Sequence, residues 1–246
     1  MDTHVNLEDK RVEKRKYGRD YLNAHNFPSW VKIVGHVFFI LLTALALVAA
    51  VLACIFIRTP VLGPSMQPTI NQDWTSSNQL QDTVLINRLQ KGERGDIIVV
   101  DRSDMNESHY VIKRLIATAG DYVTIVPILN QANYPTGEYK ILLIKKGEKT
   151  PTVVDDGFTN MADTYAKFNN LKKSSDFTFK KIGEYSYLEI GEDKVFYLGD
   201  NRNVSQDCSL YGPVDTSSII GKVVLIIDHN QSVFKECFKF FVNKVF

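Results

Sequence analysis

The sequence predicts a mainly β protein, with antiparallel pairing, preceded by one transmembrane helix. Two observations carry this reading. Residues 37–57 run VFFILLTALALVAAVLACIFI without a charge. The residues beyond them break into short runs rich in Val and Ile, separated by Gly, Asp or Asn.

As a helix the apolar run rises about 31 Å, close to the roughly 30 Å hydrocarbon thickness of a bilayer. A core helix would carry a polar stripe, and this run offers only Thr43. A cleavable leader has an apolar region of about 7–15 residues followed by a small-residue cleavage site. Here the run is longer and leads into Arg58-Thr59-Pro60, which favours an uncleaved anchor. Its flanks set a direction. Lys10, Arg11, Lys14, Arg15, Lys16, Arg19 and Lys32 precede it, and Arg58 alone follows before Arg88. The positive-inside rule places the N-terminus in the cytoplasm and the rest of the chain across the membrane.

Past the anchor, residues 83–87, 96–101, 110–117 and 122–126 read as strands, as do 140–145, 152–154, 185–190, 194–198 and 219–228. Helical periodicity surfaces only near 160–171. Residues 134–184 are more polar and Lys-rich than their flanks, an excursion from the core sheet. The final stretch interleaves Phe234, Phe238, Phe241 and Val245 with lysines, an apolar helix face that suits either the β domain or a membrane surface. The expected division is a tail over 1–32, an anchor over 33–57, a β domain over 58–230 with a divergent insertion at about 127–190, and an amphipathic segment over 231–246.

A net charge of +1 supplies no global basis for binding nucleic acid. Cys54, Cys208 and Cys237 match no metal or disulfide spacing and read as free thiols.

Three segments carry candidate chemistry. In Gly63-Pro64-Ser65-Met66-Gln67-Pro68-Thr69, the two prolines hold the backbone around Ser65 stiff, as a nucleophile requires. Alone, that segment is a turn containing a serine. In Tyr110-Val111-Ile112-Lys113-Arg114-Leu115-Ile116-Ala117, strand alternation puts Lys113 on one face with Val111 and Leu115. An ordinary lysine is neutral in roughly one molecule in 2500 at pH 7, so a usable base needs burial to depress its pKa by about 3. Alone, Lys113 reads as a snorkelling strand lysine. The third segment, 199–214, packs turn formers, charges and hydroxyls after a strand, like many polar surface loops.

In this order the segments resemble the bacterial type I signal peptidases, in their Gram-positive style. The resemblance rests on one N-terminal anchor, then S-M-x-P-T at 65–69 and G-D-I-I-V at 95–99. It continues with K-R at Lys113–Arg114, G-D at Gly120–Asp121, and G-D-N-R with S-x-D over 199–207. It weakens between Pro127 and Lys194.

The resemblance implies a membrane-bound serine endopeptidase that removes N-terminal signal peptides from exported preproteins, with no metal or cofactor. Ser65 would attack the scissile carbonyl and an uncharged Lys113 would take its proton. Ser205 would hydrogen-bond the amine. Asp207 and Arg114 would be the structural ion-pair partners near the site, with Asp200, Asn201 and Arg202 shaping the loop. An extended substrate would lie between residues 60–63 and 111–113, against Val61, Leu62, Gly63, Met66 and Ile112. The partners are then the emerging signal peptide and the lipid bilayer.

Several positions depart from the family pattern. Gly63 stands where some members carry an oxyanion-hole serine, and Pro64 has no N–H to offer. Cys208-Ser209 replaces serine then arginine, and Thr118-Ala119 replaces leucine-proline. The altered last box motivates an alternative, a non-catalytic assembly factor or chaperone, for example in surface pilus construction. A soluble self-cleaving repressor conflicts with the anchor. A thiol nucleophile at Cys208 would need His229 or His109 as base.

Overall fold

The computed structural model describes residues 28–78, 80–103 and 110–245. The tail expected over 1–32 therefore lies, up to residue 27, outside the described residues, as does His109. The chain forms two compact units, Met1–Ala53 and Cys54–Phe246.

Helix α1, Ser29–Ile55, dominates the first unit and buries none of its side chains within the protein. It is long and apolar enough to cross a membrane. Its interior hydroxyl is satisfied within the helix, since Thr43 Oγ1 donates to the carbonyls of Phe39 and Ile40 at 3.0 and 2.9 Å. Lipid demands such internal satisfaction, because it offers no partners. The apolar run, expected to be helical through Ile57, leaves the helix at Ile55. Phe56 and Ile57 open strand β1, Phe56–Pro60, paired to Asn87 and Ile86. A neighbouring strand, invisible to local hydropathy, decides that boundary.

The second unit is mainly antiparallel β, as the sequence predicts. Its strands are β2 (Thr83–Asn87), β3 (Ile97–Asp101), β4 (Tyr110–Ala117), β5 (Tyr122–Leu129), β6 (Pro135–Ile144) and β7 (Thr152–Val154). After helix α2 (Ala162–Leu171) follow β8 (Phe179–Ile182), β9 (Tyr185–Glu189) and β10 (Lys194–Leu198). A one-turn helix α3 (Cys208–Tyr211) leads to β11 (Val214–Asp215), β12 (Ile219–Ile227) and helix α4 (Val233–Val245). One sheet has seven strands in the order β1-β2-β12-β3-β4-β10-β11, and the other five in the order β7-β6-β5-β9-β8.

Strand alternation divides the core. Ile98 and Val100 of β3, with Val111 and Leu115 of β4, join the largest cluster, which reaches β5, β6, β9, β10 and α2. Ile97, Val99 and Ile112 turn the other way, toward Val61, Met66, Ile70, Val84, Ile86 and Val223. Helix α4 packs Phe241 edge-on to Phe56, at 5.5 Å between ring centres.

The Gly120-Asp121 pair joins the two sheets. Gly120 takes φ +82°, and its N–H donates to the Ile190 carbonyl at 2.7 Å. Asp121 accepts from both Arg94 Nε and Nη2 at 2.7 Å, and from the N–H groups of Thr118 and Lys146 at 2.8 and 2.9 Å. Burial alone would push the Asp121 carboxyl up, but these donors together hold it below its ordinary value. Asp121→Ala should therefore cost about 3 kcal/mol of unfolding free energy in denaturant titrations, because it strands Arg94 and two backbone donors.

Candidate active site

Ser65 lies between the stiff Gly63-Pro64 entry and a cis Gln67-Pro68 bond. Met66 and Ile70, fully buried, anchor the segment in the smaller core cluster. Lys113 arrives from the middle of β4 and is only 4% exposed, on the side of Val111 and Leu115. Its Nζ is 2.9 Å from Ser65 Oγ and hydrogen-bonded to it. Desolvation by burial lowers the amine to about pKa 8, against the opposing pull of Asp207, Cys208 and Asp200. About one amine in ten is then neutral at pH 7. A hydroxyl against a buried, partly neutral amine is an arrangement suited to proton abstraction from the hydroxyl.

The loop that follows β10 clamps the serine segment. The Asn201 N–H donates to the Ser65 carbonyl at 3.1 Å, and Asn201 Nδ2 to the Pro64 carbonyl at 3.0 Å. Gly199 makes this approach possible. A Cβ there would stand 2.2 Å from Ser205 Oγ and 2.5 Å from the Ser65 carbonyl oxygen. Asp200 receives Arg114 Nε and Nη2 at 2.8 and 2.5 Å, and Thr69 Oγ1 at 2.6 Å. That carboxylate binds β4 and the serine segment to one point. Arg202, fully buried, donates to the Gly199 carbonyl and to Asp156 and lies over the Phe158 ring. The loop is thereby tied to residues that follow β7.

Two expected contacts are corrected. Arg114 pairs with Asp200 rather than Asp207. Asp207 instead accepts from the Gly199 N–H at 2.9 Å, the Ser209 N–H at 3.0 Å and Ser209 Oγ at 2.7 Å, capping α3. Ser209 thus satisfies a carboxylate for which an arginine was expected. Ser205 Oγ is buried but makes no hydrogen bond to the lysine, and among the described residues it has no partner. Of the two expected hydroxyls, the amine meets only Ser65.

The expected substrate-contacting residues divide as well. Val61 and Met66 are core residues, Leu62 is 74% exposed, and Gly63 takes φ +82°. Ile112 is partly buried against the smaller cluster. Cys208 is fully buried beside Tyr197, and desolvation drives its thiol far up, away from a thiolate nucleophile. The roles of Thr69 and Gly199 were not read from the sequence, although both lie within the quoted motifs.

A family model described as signal peptidase, peptidase S26, matches residues 33–227. The chain belongs to this signal peptidase family. Among solved structures it is similar to a signal peptidase I from Enterococcus faecalis V583. The identity is 20%, the match covers 54% of this chain and 97% of that one, and the TM-score is 0.31. No curated protein matches the chain. Membership in the S26 signal peptidases supports signal-peptide processing as the general activity, and the match takes in every candidate site residue from Val61 to Asp207.

Burial of Lys113 also has a signature in stability. Its pKa of about 8 lies below the ordinary 10.5, so the unfolded chain binds the extra proton between those values. Stability rises with pH across that window and carries the full penalty, roughly 3 kcal/mol, below pH 8. Lys113→Met should be about that much more stable than the parent at pH 7, with the difference fading toward pH 10.5 in denaturant titrations.

Proposed function

We propose that this signal peptidase is a serine endopeptidase in which Ser65 is the nucleophile and Lys113 the general base, held at the membrane by α1. The observation that carries the reading is the 2.9 Å contact between Ser65 Oγ and a buried amine of lowered pKa. Neutral Lys113 takes the hydroxyl proton as Ser65 Oγ bonds to the scissile carbonyl carbon. The ammonium so formed returns the proton to the leaving amine as the peptide C–N bond breaks. A water, deprotonated by the same amine, then attacks the acyl carbon; the bond to Ser65 Oγ breaks and the ammonium returns the proton to that oxygen. The Ser65 N–H is the oxyanion donor available on the nucleophile itself.

Backbone geometry supports a cleft for an extended peptide. On β4, the Leu115 N–H and C=O engage the β3 side through Asp96 and Gly95. By alternation Ile112 and Arg114 face the other way. There β10 pairs from Arg114 to Ala117, leaving the edge beside Ile112 uncovered by that strand. A substrate strand added between Ile112 and Leu62 would present its carbonyl near Ser65, only three residues beyond Leu62. Preproteins with small residues before the cut are the proposed substrates.

The apolar, unburied α1 and the cations before it support an N-terminus in the cytoplasm and a catalytic unit across the membrane. Ser65 is at most about 28 Å of extended chain from Ile57, so cleavage would occur close to the bilayer surface.

Cleavage of a preprotein by the full chain in detergent tests the dyad. Ser65→Ala and Lys113→Ala should each lower kcat/KM by about 10³-fold or more; full activity in either variant rejects it. Because the neutral amine is the active form, kcat/KM should climb about tenfold per pH unit and level off above about pH 8. A profile flat from pH 6 to 9 would rule out Lys113 as base.

A further inference from the structure

The segment that continues from β1 into the nucleophile is held from behind by a buried amide. Asn71 is 1% exposed, and its Nδ2 donates to two carbonyls, Val61 at 2.9 Å and Gly63 at 3.0 Å. Its Oδ1 accepts from the Asp82 N–H at 2.7 Å, and its own N–H donates to Asp82 Oδ2 at 2.6 Å. The Val61 N–H donates in turn to the Asp82 carbonyl at 2.9 Å. Asp82 is 5% exposed and is steadied from the far side by the His229 N–H, at 3.1 Å. Asn71 keeps this position with φ +59°, a left-handed backbone that asparagine tolerates better than most residues.

The consequence lies in what remains unused. In extended backbone the N–H and C=O of one residue point to one side and those of the next residue to the other. The Val61 N–H and C=O are both spent inward, on Asp82 and Asn71. The Leu62 N–H and C=O therefore face outward, and neither has a partner among the described residues. An open pair of backbone groups three residues before Ser65 is the edge to which an extended peptide adds.

We propose that Asn71 is a positioning residue for substrate: by binding the Val61 and Gly63 carbonyls it turns the backbone groups of Leu62 toward the cleft and sets the register of the bound peptide. Asn71 touches neither substrate nor the reacting atoms. Its effect passes through residues 61–63, and it rests on the cleft proposed above. Without the amide the two carbonyls become buried and unpaired or rotate outward to compete with the peptide. Either outcome loosens the alignment of the scissile bond on Ser65.

The test reads binding rather than cleavage, so that it stands apart from the dyad. In full-length Ser65→Ala protein, a labelled signal-type peptide is titrated by fluorescence anisotropy, alongside versions N-methylated at one backbone nitrogen each. Asn71→Gly keeps the left-handed backbone while deleting the amide. It should raise Kd about tenfold, and the N-methylation that costs most affinity with Asn71 present should cost little in its absence. Leu62→Pro removes the outward N–H at an exposed position and should weaken binding similarly, with no further loss when combined with Asn71→Gly. A lowered melting temperature with unchanged Kd and unchanged N-methylation cost would mean that Asn71 is structural only, and overturns the proposal. If Asn71→Gly fails to fold, Leu62→Pro decides alone: unchanged affinity overturns, tenfold weaker binding supports. Asn71-dependent binding, together with a parent chain (Ser65 intact) that cleaves no preprotein, would sink the dyad and leave this inference standing. A folded protein that binds no peptide removes the cleft proposed above and this inference with it.

Discussion

Burying one ammonium is the constraint around which the second unit is organised. A lysine amine taken from water by Val111, Leu115 and the loop after β10 loses much of its preference for the charged form. Lys113 comes down to about 8 for that reason first. The difficulty is that two carboxylates stand nearby and pull the other way. Each is committed elsewhere. Asp200 is taken by the Arg114 guanidinium and Thr69, and Asp207 by two N–H groups and the Ser209 hydroxyl. Their remaining pull on the lysine is outweighed by desolvation.

The same commitments position the serine. Asp200 holds β4 and Thr69 together, while Asn201 grips the carbonyls of Pro64 and Ser65. The distance between Ser65 and Lys113 is therefore fixed by three segments far apart in the chain. Gly199 allows the closest of these approaches, and no residue with a Cβ fits there without displacing Ser205 or Ser65. The five-stranded sheet takes part through Asp121 at the sheet junction and through Asp156, which follows β7 and meets Arg202. A stretch that departs from the family pattern in sequence thus still supports the loop by charge and ring contact.

Much of this was legible in the residues. Period-two runs of Val and Ile located most of the strands, because a strand with one face on the core writes its period into the chain. The ends of α1 and β1 were not legible, since Phe56 and Ile57 are apolar in either role and only pairing with β2 separates them. Strand β8 is not legible, because Phe179 and Ile182 flank two exposed lysines and lack clean alternation. Ion-pair partners are less legible still. Motif marks Arg114, Asp200 and Asp207 alike, and only the approach of β4 to the loop after β10 assigns the guanidinium to Asp200.

By itself the sequence determined the long apolar helix, the β class of the remainder, and the identity and order of Ser65, Lys113 and the loop that serves them. These are properties of local hydropathy, period and motif. Only the tertiary structure decided that Lys113 is dry, that its amine meets Ser65 and not also Ser205, and that Ser209 serves Asp207 where an arginine was expected. It also decided that Asn71, unremarkable in the sequence, sits behind the segment between β1 and Ser65. A pKa and a hydrogen-bond partner depend on what surrounds a group in space, and residues remote in sequence supply those surroundings.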